Sequence, residues 1–139
     1  MIQAVFYSQF AIATTILLAV GCAEKASVNQ FDVSGVVTFD GKPVPHGSII
    51  FQPDEAQGNA GPYGSAMIKD GKFDTRVDNG TATIGGPHLI SIEAFDGVEP
   101  NQDYAPYGRS IGDSYQEAFV LPQTDSTLNI ELKDRKPSR

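Results

Sequence analysis

The sequence predicts an all-β domain, a seven-stranded Greek-key β-sandwich spanning residues 31–132. Three observations lead there. Apolar and polar residues alternate with a period of two through several short runs, the mark of half-buried strands. Turn chemistry recurs between those runs, in a chain with 14 Gly and 9 Pro. No segment carries a sustained helical period, and seven short strands over roughly 100 residues suit two packed sheets.

The first strand starts at Phe31, with Phe31, Val33, Gly35, Val37 and Phe39 on one face and Asp32, Ser34, Thr38 and Asp40 on the other. Asp40-Gly41 bends the chain, and Pro43 and Pro45 hold Val44 extended before a second strand that turns Ile49 and Phe51 inward. Asp54 to Tyr63 has the composition of a surface loop. A third strand follows at Gly64 to Ile68, with Ala66 and Ile68 inward, and Asp70-Gly71 favours a tight hairpin. Phe73, Thr75 and Val77 are expected inward on the fourth strand, which Asp78-Asn79-Gly80 ends. His88, Ile90, Ile92 and Ala94 share the inner face of the fifth. Asp96 to Glu117 then runs for twenty-two residues without a pattern, well beyond an ordinary connection. Phe119 and Leu121 mark a sixth strand, and Leu128, Ile130 and Leu132 the inner face of a seventh. Residues 133–139 read as a flexible polar tail.

The first 21 residues contain no charged side chain, and an apolar run from Phe10 to Val20 closes on Gly21-Cys22. Such a run, ended by small residues, reads as an export signal peptide over residues 1–21. Ala19-Val20-Gly21-Cys22 resembles the lipobox of bacterial lipoproteins, although Ala19 replaces the commoner Leu and no Lys or Arg precedes the run. That resemblance implies acylation of Cys22, with palmitate among the chains it would carry. Cys22 is the only cysteine, so an intrachain disulfide is excluded and a lipid accounts for the thiol. Residues 22–30 then form a lipidated tether. The competing reading is an uncleaved transmembrane anchor. Either one places the domain outside the cytoplasm, attached to a membrane of the cell envelope.

Every charged residue follows Cys22, and the net charge is −7. An acidic chain without a basic stripe repels phosphate backbones, which argues against nucleic acid as a partner.

Four phrases in order, Val33 to Val44, Gly47 to Pro53, Lys69 to Phe73 and Gly86 to Ala94, resemble the carboxypeptidase regulatory-like, or transthyretin-like, domain of small bacterial lipoproteins. The resemblance implies a prealbumin-like β-sandwich, usually without assigned catalysis. It weakens across Asp96 to Glu117. A transthyretin-like hydrolase of hydroxyisourate ends in Tyr-Arg-Gly-Ser. This chain ends in Lys-Pro-Ser-Arg and lacks that motif.

Chemistry-bearing residues are few. His46 falls in the Pro-rich connector and reads as a solvated turn, and His88 reads as a polar tip satisfied inside the core. Asp96, Glu99, Asp103 and Asp113 are dense enough to weigh for calcium, but their spacing matches no EF-hand loop. No nucleophile elbow, metal motif or cofactor motif appears, so neither a catalytic residue nor a cofactor is assigned. Tyr104, Tyr107, Arg109 and Tyr115 offer the stacking surfaces and donors of recognition sites, and they are the candidate binding residues. The expected function is a non-catalytic binding or structural module of the cell envelope, whose partner is an envelope protein or a glycan. An envelope enzyme working on a small molecule or glycan through residues 96–117 is the alternative.

Overall fold

The computed structural model describes residues 27–112 and 114–133. They form eight strands: β1 (Val33–Phe39), β2 (Lys42–Pro43), β3 (His46–Pro53), β4 (Gly64–Lys69), β5 (Lys72–Asp74), β6 (Gly86–Phe95), β7 (Tyr115–Leu121) and β8 (Ser126–Leu132). One 3-10 turn at Glu55–Gln57 interrupts them. The strands join in one curled sheet in the order β8, β1, β5, β4, β3, β6, β7, with β2 beside β1 past the end of β5. All pairings are antiparallel except that of β1 with β8. The segment 1–21, Cys22 and the tail beyond Lys133 lie outside the described residues. Among the described residues no helix is long and apolar enough to cross a membrane.

The all-β expectation holds, with eight strands in place of seven. Asp40 and Gly41 take φ of 47° and 76°, a reversal tight enough for Lys42-Pro43 to pair back onto Thr38 and Phe39. The connector does more than bend the chain. Val44 is fully buried and fixed by backbone bonds from its N–H to Val37 O and from Gly71 N–H to its own carbonyl.

The alternating residues explain the curl. A twisted sheet with one apolar face must cover that face, and here it wraps onto itself. Val33 and Val37, Ile49 and Phe51, Ile68, Phe73, Ile90 and Ile92, Leu121, Ile130 and Leu132 form one buried cluster. The rings of Phe51 and Phe73 meet within it, centroids 6.0 Å apart. Burial of a side chain such as Phe51 contributes about 2 to 3 kcal/mol. Gly35 has a steric reason to be glycine, because a Cβ there would run into the backbone carbonyl of Leu128 on β8.

Two stretches differ from expectation. β5 ends at Asp74, and Val77, expected inward, is 52% exposed. The Asp74 carboxylate accepts from the Arg76 backbone N–H and from its guanidinium, which turns the chain off the sheet. Asp78 and Asn79 complete the turn at φ of 53° and 61°. Thr75 remains buried, its hydroxyl donating to Asp32 and accepting from the N–H of Val33. The second difference is the patternless stretch. β7 begins at Tyr115, so Tyr115 to Glu117 are strand and only residues 96–114 connect β6 to β7.

Strand directions give the domain two distinct ends. Phe31 enters at one end, bridged to Thr83, beside the start of β8 and the turn between β7 and β8. β6 starts beside it, runs in the same sense as β1 and delivers residues 96–112 to the opposite end, where Phe95 pairs with His46. Ten residues of β6 separate these ends by about 30 Å.

Candidate functional site

The site is built where β6 stops. Phe95 bridges Ser110, and the two limbs of the loop are tied by bonds from Asp96 N–H to Arg109 O, Gly97 N–H to Tyr107 O and Ile111 N–H to Ala94 O. Farther out, Asn101 and Ala105 exchange backbone bonds of 2.9 and 2.8 Å, while the Asn101 side chain accepts from Asp103 N–H. The stretch that shows no periodicity is therefore an ordered excursion closed at its base.

Asp96 closes it. Its Oδ1 accepts from the N–H of Val98 and from the N–H of Arg109, each at 2.9 Å. Those donors, Val98 first, hold the Asp96 carboxyl below the usual carboxylate range, since they favour the charged form. Gly108 makes the clamp sterically feasible. It is buried at φ of 87°, and a Cβ there would strike Asp96 Oδ1 and crowd the N–H groups of Gly97 and Val98.

On this base Tyr107 is laid across the sheet end. Its ring lies 5.7 Å from that of His46 and 5.9 Å from that of Phe95, both tilted contacts. Tyr107 still exposes 42% of its surface. Tyr104 at the tip is 89% exposed, and Arg109 on the returning limb is exposed with its charge near Asp96. His46, Phe95 and Tyr107 thus form an aromatic shelf, and Tyr104 and Arg109 are exposed on the same loop.

The four candidate residues divide three to one. Tyr104, Tyr107 and Arg109 belong to one exposed loop. Tyr115 starts β7 opposite buried Ile92, packs against the core and donates its hydroxyl to Glu117, so it stands on the inner side of the sheet. Sequence reasoning missed His46, Phe95, Asp96 and Gly108 as the parts that hold the shelf. His46 is no solvated turn, because it opens β3, pairs with Phe95 and Lys69, and supports Tyr107. Strand pairing joins residues 46 and 95, and the loop bond from Gly97 N–H to Tyr107 O brings in residue 107.

His88 is the satisfied core group expected. Fully buried, it donates from Nδ1 to Gly86 O, which can only accept, and its Nε2 shares a 2.9 Å hydrogen bond with the Thr83 hydroxyl. Asp96, Glu99 and Asp103 build no metal-holding group among the described residues, and Asp113 lies outside them. Two open grooves lie on the outer faces of the sheet, away from the loop. One, of about 420 Å³, runs over Val36, Met67 and Val77, and the other, of about 440 Å³, over Ile50, Gln52 and Tyr63.

No family model matches the chain. A search of curated proteins finds no significant match either.

Proposed function

We propose that this chain is a non-catalytic binding module of the cell envelope, held to a membrane by a lipid on Cys22 and recognising its partner with residues 96–112. The observation that carries the reading is the Tyr107 shelf. A loop of this length is expensive to order, since each fixed residue costs about 1 to 2 kcal/mol of backbone entropy. Here a carboxylate clamp, a glycine at positive φ and two ring contacts are devoted to fixing it. Exposed tyrosines on a preorganised support suit recognition, because they supply contact area at little further entropy cost. The loop stands at the opposite end of β6 from Phe31, so a tether reaching the domain there leaves it clear of the anchor.

The finer fold belongs to the same proposal. The alternating strands, the Asp-Gly turns and the curled sheet are compatible with the transthyretin-like, carboxypeptidase regulatory-like sandwich that the sequence phrases resemble. The non-catalytic reading draws on His88, whose ring nitrogens are both engaged, and on His46, whose ring supports Tyr107.

Binding of the purified protein to fractionated envelope proteins and glycans tests the proposal. Tyr107→Ala or Arg109→Ala should weaken binding by about five-fold or more with the fold intact. Turnover of ester, glycoside or hydroxyisourate substrates that His46→Ala abolishes would replace this reading with the enzymatic one. Intact-mass analysis of membrane-extracted protein tests the anchor separately. An N-terminus at acylated Cys22 is expected, and a mature chain keeping residues 1–21 would contradict it.

A further inference from the structure

We infer that the domain bears tension between its tether and its binding loop, a mechanical role in which both pulls run along the strands. The inference rests on the proposed lipid and partner for where the load is applied, whereas the resistance follows from the strand pairing alone. A pull on residues 22–30 enters at Phe31 and draws β1 backwards along its own axis. A pull on residues 96–112 leaves from the end of β6, which runs in the same sense as β1 and stops at the opposite end of the domain. The two points of load are thus about 30 Å apart, with the strands lying between them.

β1 is held on both sides against such a pull. It pairs with β8 at seven consecutive positions, from Val33 against Ser126 to Phe39 against Leu132, and with β5 at three, from Ser34 against Asp74 to Val36 against Lys72. The β8 contact is parallel, so its hydrogen bonds are evenly spaced along the strand. An axial pull loads these bonds together, whereas a pull across the strands opens them one after another. β1 can also leave by taking β8 with it, but that route draws Ile130 and Leu132 out of the core. β6 is held in the same way, by eight positions on β3 and seven on β7.

The entry to β1 is latched in three places. Phe31 exchanges backbone bonds of 2.7 and 3.1 Å with Thr83. Asp32 N–H donates to the Asp125 carboxylate at 2.9 Å, and Asp32 O accepts from Ser126 N–H. Val33 N–H donates to the Thr75 hydroxyl, and Val33 O accepts from Thr75 N–H. A slip of one residue would break all three latches and turn the buried Val33 and Val37 to the other face. It would also bring Val36 to the place where Gly35 passes the Leu128 carbonyl, and a Cβ does not fit there. Gly35 is the only residue of β1 without a Cβ, so nearby registers meet the same obstacle and offer the strand no resting point.

Single-molecule pulling on the full chain carrying Cys22→Ser tests the inference, with handles on introduced cysteines so that neither a lipid nor a partner is needed. Val28→Cys with Tyr104→Cys applies the axial load. Val28→Cys with Thr124→Cys grips β1 and β8 at the same end and peels them apart. All three positions are exposed, so both pairs start from the same fold. The force compared is that of the main rupture, after any opening of the loop. The axial pair should rupture at about two-fold higher force or more at equal pulling rate, because forced unfolding follows the barrier to unfolding and the axial barrier breaks many bonds at once. Equal forces, or a weaker axial pair, overturn the inference. A mature chain without the lipid, or one that binds no envelope partner, would remove the load while leaving the measured resistance in place, so the two failures are told apart.

Discussion

The curled sheet and the loop that follows β6 are held together by different physics. The sheet rests on apolar area, with Ile49, Phe51, Ile68 and Ile90 fully buried and no single contact decisive. The loop rests on directed polar contacts, above all two backbone N–H groups on one carboxylate, plus a ring laid on two others. Burial is additive and insensitive to pH, while a carboxylate clamp is local and can be protonated. The two regions should therefore fail separately.

The largest effect should come from the sheet. Phe51→Ala removes a fully buried ring that contacts Phe73 and should cost about 3 to 5 kcal/mol in denaturant unfolding, with loss of loop and sheet together. Gly108→Ala comes next. Its Cβ meets the Asp96 carboxylate at a backbone φ of 87°, so about 1 to 2 kcal/mol of strain should open residues 96–111 and release Tyr107 from His46, seen as loss of their ring-current shifts. Unfolding of the whole domain by this change would show that the two regions are one cooperative unit.

Acid should separate the regions without mutation. The folded Asp96 has a depressed pKa, so its contribution is complete above the unfolded value of about 3.9 and is lost as pH falls through the lower folded value. Below about pH 4 the Val98 and Arg109 amides should lose protection before those of β3 and β6 do. The smallest effect belongs to Tyr104→Ala. That ring is 89% exposed, and its loss should change stability by less than about 0.5 kcal/mol while still reducing partner binding.

Much of the sheet was legible because alternation is a local property of the chain. Ile49 and Phe51, Ala66 and Ile68, and the row from His88 to Ala94 point where a period of two places them. Val77 escaped because the Asp74–Arg76 contact turns the chain off the sheet after Asp74, before the apolar residue is reached. β2 escaped because a two-residue strand has no period to read. The loop was legible only as an anomaly of length. Its order depends on Asp96 meeting Arg109 thirteen positions away, and its shelf on His46 lying beside Phe95 across the sheet. Tyr104, Tyr107 and Arg109 could be picked out by residue type, whereas the supports could not. The place of Tyr115 on the inner side was hidden by the same limit, since it follows from pairing with Ile92.

Amide hydrogen exchange on the wild-type chain and on Asp96→Asn tests the central claim, an ordered loop held by one carboxylate on an independent sheet. The amide side chain keeps the size of the carboxylate and loses its charge. Protection should fall at Val98, Arg109 and the bonds between them, with Ile49, Ile90 and Ile130 unchanged. Undiminished protection across residues 96–111, or an equal loss in the strands, would contradict the account.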